Sequence, residues 1–224
     1  MITQVLWASM VDFPGHTCAV LFVDKCNFNC AYCYNKNLKN KKALDFDKQI
    51  LPKLKERQDF VNHVIISGGE PTQDIQFEYI LDKLNEAGFI VGIHTNGYNP
   101  EIIKKNIDKI SFLGIDIKTS KNKYCMASGI TDETVIDKVK ESIEFVVKSN
   151  KQYEFRTTLF PEHVNMEDVK SIALYLKNIG ANAYNLQQFY PVNGAKECTP
   201  YTYSKLLEIQ SACNNILPTK LKSK

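Results

Sequence analysis

Val64-Ile65-Ile66-Ser67-Gly68-Gly69-Glu70-Pro71 is a short apolar run stopped by two glycines and a proline. Residues 64–67 read as a buried strand, and the Gly-Gly-Glu-Pro that follows reads as the turn ending it. Beyond the turn, Phe77, Ile80, Leu84 and Ala87 step by three and four, which predicts a helix over residues 74–87. The same strand, turn and helix recur along the chain. Strands are expected at 18–24, 64–67, 89–94, 110–118, 153–160 and 184–189. Helices are expected at 44–57, 74–87, 101–106, 134–148, behind the Asn165 cap as far as Gly180, and at 204–214. Strands and helices that alternate through short connections build right-handed βαβ units on a parallel sheet. The expected fold class is therefore α/β, a single-domain partial (β/α)6 barrel with parallel strands. It covers residues 1–216, with a turn at Val11-Asp12-Phe13-Pro14-Gly15 before the first strand and a frayed basic tail over 217–224.

Strand residues two apart share a face. Asp116 and Lys118 stand opposite Ile115 and Ile117, and Glu154, Arg156 and Thr158 stand opposite Phe155 and Leu159. Asn185 and Gln187 repeat the pattern, and His94 opposes Ile93. Parallel sheets usually bury both faces among helices, so a charged face has two uses. It can line an interior that holds a charged ligand, or its members can pair with one another at a cost in desolvation.

Composition narrows the setting. With 44% hydrophobic residues in 224, the chain can supply a full core. Its 28 basic and 25 acidic residues, a net charge of +3, are too balanced to indicate a nucleic-acid binder. No basic leader with an apolar run and no apolar stretch of membrane-spanning length is seen, which gives the expectation of a soluble, cytoplasmic protein without a membrane partner. Seven cysteines, three of them within eight residues, suit metal ligation in a reducing compartment better than a disulfide framework.

Those three cysteines stand in Cys26-Asn-Phe-Asn-Cys30-Ala-Tyr-Cys33, directly behind the first predicted strand. Three soft thiolates suit iron–sulfur or zinc, and both normally take four protein ligands. A four-iron cluster here would leave one iron without a cysteine, an open position of the kind that does chemistry. A zinc knuckle completed by a distant Cys or His is the alternative, and Gly68 to Pro71 alone is an ordinary strand-to-helix turn. In barrels of this kind functional groups stand at the C-terminal ends of strands. Cys26, Gly68 to Pro71, Thr95-Asn96-Gly97 and Lys118 all occupy such positions, and the paired glycines would let backbone approach a ligand closely.

Cys26-x3-Cys30-x2-Cys33 with Tyr32 before the last cysteine, followed by Gly68-Gly69-Glu70-Pro71, resembles the radical S-adenosylmethionine (SAM) superfamily. Within it the chain looks like the glycyl-radical-enzyme activating proteins, in particular the anaerobic ribonucleoside-triphosphate reductase activating type, over residues 9–192. Val11 to Gly15, Thr95-Asn96-Gly97 and Asp116-Ile117-Lys118 resemble that group, and the finer likeness rests on Glu154-Phe155-Arg156-Thr157-Thr158 and Gln187-Gln188-Phe189.

The resemblance implies a [4Fe–4S] cluster on Cys26, Cys30 and Cys33, its fourth iron chelated by the amino and carboxylate groups of SAM. It places Gly68, Gly69 and Glu70 at the methionine ammonium, Lys118 at the carboxylate and Tyr32 near the adenine. Asn35, Thr95, Asn96, Asp116 and Arg156 complete the implied cofactor site. It also implies an electron from a flavodoxin- or ferredoxin-like donor, a 5′-deoxyadenosyl radical, and a hydrogen taken from a glycine of a partner glycyl-radical enzyme, anaerobic ribonucleotide reductase. Tyr34 and Lys36 depart from the His-Asn-Pro of the activating proteins, though Asn35 matches. His94 replaces an aspartate that serves a monovalent cation there, and is expected to be a hydrogen-bonded interior histidine. Cys18, Cys125, Cys198 and Cys213 are dispersed and are expected to be small buried hydrophobes or solvent-facing thiols. Two other readings stay open: a small-molecule radical enzyme like 7-carboxy-7-deazaguanine synthase, and a non-catalytic iron–sulfur or zinc module.

Overall fold

The computed structural model describes residues 1–191 and 198–222. Eight strands form one sheet in sequence order: β1 (Ile2–Phe13), β2 (His16–Val23), β3 (His63–Gly68), β4 (Ile90–Thr95), β5 (Phe112–Asp116), β6 (Gln152–Leu159), β7 (Tyr184–Gln188) and β8 (Thr219–Lys222). The order ends at β1 and β8 without closing. Helices α1 (Leu51–Glu56), α2 (Phe77–Glu86), α3 (Pro100–Asn106), α4 (Tyr124–Ser128), α5 (Val135–Lys148), α6 (Met166–Asn178) and α7 (Tyr203–Asn214) lie between them in the chain. This is the mostly parallel α/β sheet expected, extended by a strand at each end.

Neither added strand has a regular pattern. β1 pairs antiparallel with β2, but its register shifts three times between Ile2 and Phe13. The shifts destroy the period-two alternation and leave Met10 and Val11 about four-fifths exposed, at 81% and 79%. Val11 to Phe13 thus ends a strand that the sequence reading left as a turn. At the other end, the tail expected to fray contains β8, parallel to β7. Lysines at 220 and 222 hide it, while Thr219 is buried and its hydroxyl donates to Leu217 O. The expected helix over 44–57 is also shorter, because a π-turn at Phe46–Ile50 precedes α1.

The chain packs as two compact units. The first comprises residues 1–27, 35–95 and 99–114, and the second residues 28–34, 96–98 and 115–224. In the first, β2, β3 and β4 run parallel, and Phe13, Cys18, Val20, Ile65 and Phe112 form a buried apolar cluster with Phe22 against it. In the second, β6, β7 and β8 run parallel, and Phe155, Leu159, Leu186, Val139 and Leu176 are buried.

Helix α6 begins with a capping box. Asn165 Oδ1 accepts from Asp168 N (3.1 Å), and Asp168 Oδ2 accepts from Asn165 N (2.8 Å). Asp168 also accepts from Ser120 Oγ (2.6 Å) and Lys123 Nζ (2.7 Å), which ties the loop after β5 to this helix. Asn165→Ala is expected to cost about 1 kcal/mol, read as a fall of roughly 2–4 °C in Tm for a chain of this size. An unchanged melting curve would show the cap to be idle.

Candidate active site

In the first unit β2 runs directly into Asp24, Lys25 and Cys26, and the turn after β3 grips that exit. Gly69 N donates to Val23 O (2.8 Å), and Glu70 N donates to Lys25 O (2.6 Å). A Cβ on Gly68, whose φ is +107°, would lie 2.5 Å from Val23 N, and one on Gly69 would lie 2.0 Å from Lys25 O. The close approach that these glycines permit is made here by the chain that leads to Cys26. Their missing side chains serve a backbone clamp. Asn35 reinforces it from the far side of the cysteine loop by donating from Nδ2 to Gly68 O (2.7 Å).

Glu70 is fully buried, and its Oε1 accepts from Thr72 N (3.1 Å), Thr72 Oγ1 (2.6 Å) and Thr95 Oγ1 (2.7 Å). This oxygen joins the turn after β3 to the end of β4. His94 is buried, and its Nε2 lies 3.0 Å from Asp12 O, a hydrogen-bonded interior position as expected. A cleft of about 420 Å³ in the same unit is lined by Asp24, Lys25, Cys26, Asn27, Lys39 and Gln73, which puts Cys26 on its wall.

The second unit holds Cys30, Cys33 and the charged face. Cys33 N donates to Cys30 O (3.2 Å), a tight turn that sets the spacing of the two thiols. On β5 and just beyond it, Asp116 is a double acceptor. Its Oδ1 receives Arg156 Nε (2.9 Å) and Nη2 (2.8 Å), and its Oδ2 receives Lys118 Nζ (3.1 Å). Glu154 likewise pairs with Lys222 of β8 (2.6 Å). The polar face anticipated from strand alternation exists, and these members satisfy one another as a network. Burial pushes the Lys118 ammonium down, but its neighbours, the Asp116 carboxylate foremost among them, together hold the group well above its usual value, so it stays charged. Burial raises the Cys30 thiol, with Lys118 pulling in the opposite direction. Asn96 is buried, and its Oδ1 accepts from Tyr98 N (3.0 Å).

Tyr32 packs its ring 5.1 Å from Phe160 and 6.3 Å from His163. Its hydroxyl is buried without a hydrogen-bond partner, as is Asn185 Oδ1 on β7. A stranded polar atom costs about 1–3 kcal/mol, and a polar ligand would relieve both. None of the seven cysteines is in a disulfide, so the three thiols of the loop remain soft donors. Among the described residues no three His, Cys, Asp or Glu side chains converge on one metal position. A polynuclear cluster takes one thiolate on each iron, which suits three soft donors on one loop. Donor chemistry and stranded polar atoms thus fit a [4Fe–4S] cluster and SAM. Of the dispersed cysteines, Cys18 and Cys213 are buried, and burial raises their thiols to about 12 and about 11; Cys125 and Cys198 are half-buried.

Two contributors escaped the sequence reading. Tyr34 accepts Tyr190 N on its hydroxyl (2.7 Å), so this departure from the activating proteins anchors the cysteine loop to the exit of β7. Ser128 and Gly129, at the end of α4, touch the loop directly. Only a lone glycine after a short apolar stretch could have signalled them.

Residues 20–176 match the family model of the radical SAM superfamily. A Methanocaldococcus jannaschii protein provisionally named a glycyl-radical enzyme activating enzyme is 32% identical over 210 residues, covering 88% of this chain and 83% of that one. The 7-carboxy-7-deazaguanine synthase of Haemophilus influenzae is 36% identical, but over 90 residues, 39% of this chain and 38% of that one. Among solved structures, Streptococcus suis SuiB bound to S-adenosylmethionine superposes with a TM-score of 0.71 at 16% identity. The match covers 89% of this chain and 48% of SuiB, so the chain spans about half the length of that protein. No helix of the described residues is long and apolar enough to cross a membrane. The chain belongs to the radical SAM superfamily, whose cofactors are a [4Fe–4S] cluster and S-adenosylmethionine.

Proposed function

We propose that this protein activates a glycyl-radical enzyme, anaerobic ribonucleoside-triphosphate reductase being the partner its motifs favour. The observation that carries this reading is the extent of the likeness to the M. jannaschii activating-type protein, 88% of one chain on 83% of the other. The deazaguanine synthase likeness stops at 39% of the chain. Seven cysteines with no disulfide among them suit the reducing cytoplasm, and a flavodoxin- or ferredoxin-like protein would supply the electron.

Cys26, Cys30 and Cys33 would hold the cluster, leaving one iron for the amino and carboxylate groups of SAM. When bound, these cofactors supply one-electron chemistry that can remove a hydrogen atom from an unreactive carbon. The chain's part is orientation and exclusion. Gly68, Gly69 and Asn35 fix the backbone on both sides of the cysteine loop, with Glu70 and Thr95 bracing the turn beneath. Lys118 would keep its proton on Nζ and face the ligand carboxylate. Asp116, itself held by Arg156, keeps that ammonium in place, and Tyr32 would meet the adenine side. Phe160, fully buried and backed by Phe189, packs against the ring of Tyr32 and keeps water from that side.

The test is anaerobic reconstitution followed by SAM and dithionite, with 5′-deoxyadenosine measured alongside the electron paramagnetic resonance (EPR) spectrum of anaerobic ribonucleotide reductase mixed with the protein. The expected result is cleavage together with a glycyl radical on the reductase. Cleavage with no radical on it or on other glycyl-radical enzymes would favour a small-molecule substrate.

A further inference from the structure

We infer that Ser128 and Gly129 are positioning residues for the cysteine loop, gripping it at Asn29, one residue before Cys30. Three observations within the second unit converge. Asn29 N donates to Ser128 O across 2.7 Å, although residue 29 is itself exposed. A Cβ on Gly129 would sit 2.4 Å from Asn29 O and 2.8 Å from Asn29 C, so only glycine lets the two backbones lie this close. Cys30 Sγ lies 3.9 Å from Ser128 O, which places the thiol beside the same carbonyl.

The grip is itself rigidly built. Gly129 has φ +69° and ends α4, with Gly129 N and Ile130 N both donating to Cys125 O (2.9 and 3.3 Å). Ser128 is fully buried, and its Oγ donates to Tyr124 O (2.8 Å), which ties it to the preceding turn of α4. Tyr124 is buried with its hydroxyl 3.4 Å from Lys118 N, so the segment that carries Lys118 also carries the grip. One loop therefore presents a cation to the site and fixes the backbone of a thiol ligand. The Gly68–Gly69 clamp acts before Cys26, and Ser128–Gly129 acts between Cys26 and Cys30. A thiolate that binds one corner of a cluster must be set to within a fraction of an ångström, and supporting contacts of this kind typically change metal affinity about 10–100-fold.

The identity of the bound group rests on the radical SAM assignment, whereas the grip can be read without it. Gly180→Ala is the control, because Gly180 also has positive φ (+86°) but no atom within 4 Å of its Cβ position. It should lose some thermal stability to backbone strain while keeping the wild-type iron content. Gly129→Ala should lose its iron to a chelator about tenfold faster than Gly180→Ala, and its residual reduced cluster should show altered EPR g-values on addition of SAM. Equal iron retention and equal g-values in the two variants would overturn the inference. A second measurement stands even if Gly129→Ala does not fold. In the wild-type protein without cluster, the amide of Asn29 should exchange slowly for an exposed residue, and free exchange there would refute the grip. Absence of SAM cleavage alongside a protected Asn29 amide would count against the proposed activity and leave the grip intact.

Discussion

Gly69→Ala is expected to cost about 2–4 kcal/mol of stability and to leave the protein unable to retain its cluster. The cause is contact, because the added Cβ would fall 2.0 Å from Lys25 O and 2.5 Å from Lys25 C. A flexible side chain could move aside, but here the obstacle is backbone one residue before Cys26. Relief requires the two chain segments to separate, which breaks Glu70 N to Lys25 O (2.6 Å) and strains Gly69 N to Val23 O (2.8 Å). Cys26 then loses its fixed distance from β2. Thermal unfolding of the cluster-free protein measures the first effect, and iron per chain after anaerobic reconstitution measures the second. Gly15→Ala separates steric contact from strain. Gly15 has φ +79° and an open Cβ position, so its substitution should cost only about 1 kcal/mol and leave iron unchanged. Wild-type iron in Gly69→Ala would show that the clamp does not position Cys26.

How much of this was legible in the sequence follows from the range of the forces involved. The helical steps at Phe77, Ile80 and Leu84 and the two-residue alternation at Glu154, Arg156 and Thr158 are local patterns, and they placed α2, β6 and the charged face correctly. β1 was illegible because three register shifts scramble its alternation, and β8 because two of its four residues are lysines. At the site, the residue types were legible, but the way they are used was not. Gly68 and Gly69 signal a close approach in any sequence, but whether the approaching group is a ligand or the chain itself depends on the turn folding back over Lys25. Glu70 marks a buried acceptor, yet its partners Thr72 and Thr95 emerge only once the ends of β3 and β4 lie side by side. Ser128 acts through its carbonyl, a group every residue has, so no side-chain code could announce it.

Asp116→Ala should produce a pH-dependent loss of stability. Asp116 is the shared anion for Arg156 and Lys118, whose side chains are 9% and 15% exposed, while its own is 34% exposed. Removing it leaves two neighbouring cations with neither water nor a counter-charge in full measure. Breaking a wholly buried pair costs about 3–5 kcal/mol, and the partial exposure of Asp116 reduces this to roughly 2 kcal/mol. The pH dependence has a definite sign. In the wild type Lys118 is held above its unfolded value of about 10.4, so its contribution is complete below that pH and declines above it. Without Asp116 the burial that opposes the charge prevails, and the folded state binds its proton less tightly than the unfolded state. Stability of the variant should then rise with pH in the approach to that value. The gap between the two proteins in urea denaturation should therefore be widest near neutrality and narrow toward about pH 10–11. A gap independent of pH would mean that Lys118 does not depend on Asp116. Asp116→Asn, which keeps one acceptor oxygen for Arg156 but loses the charge, should fall between the two in stability at pH 7. It should match Asp116→Ala in the direction of its pH dependence, because Lys118 responds to the lost charge while the shape of the side chain is kept.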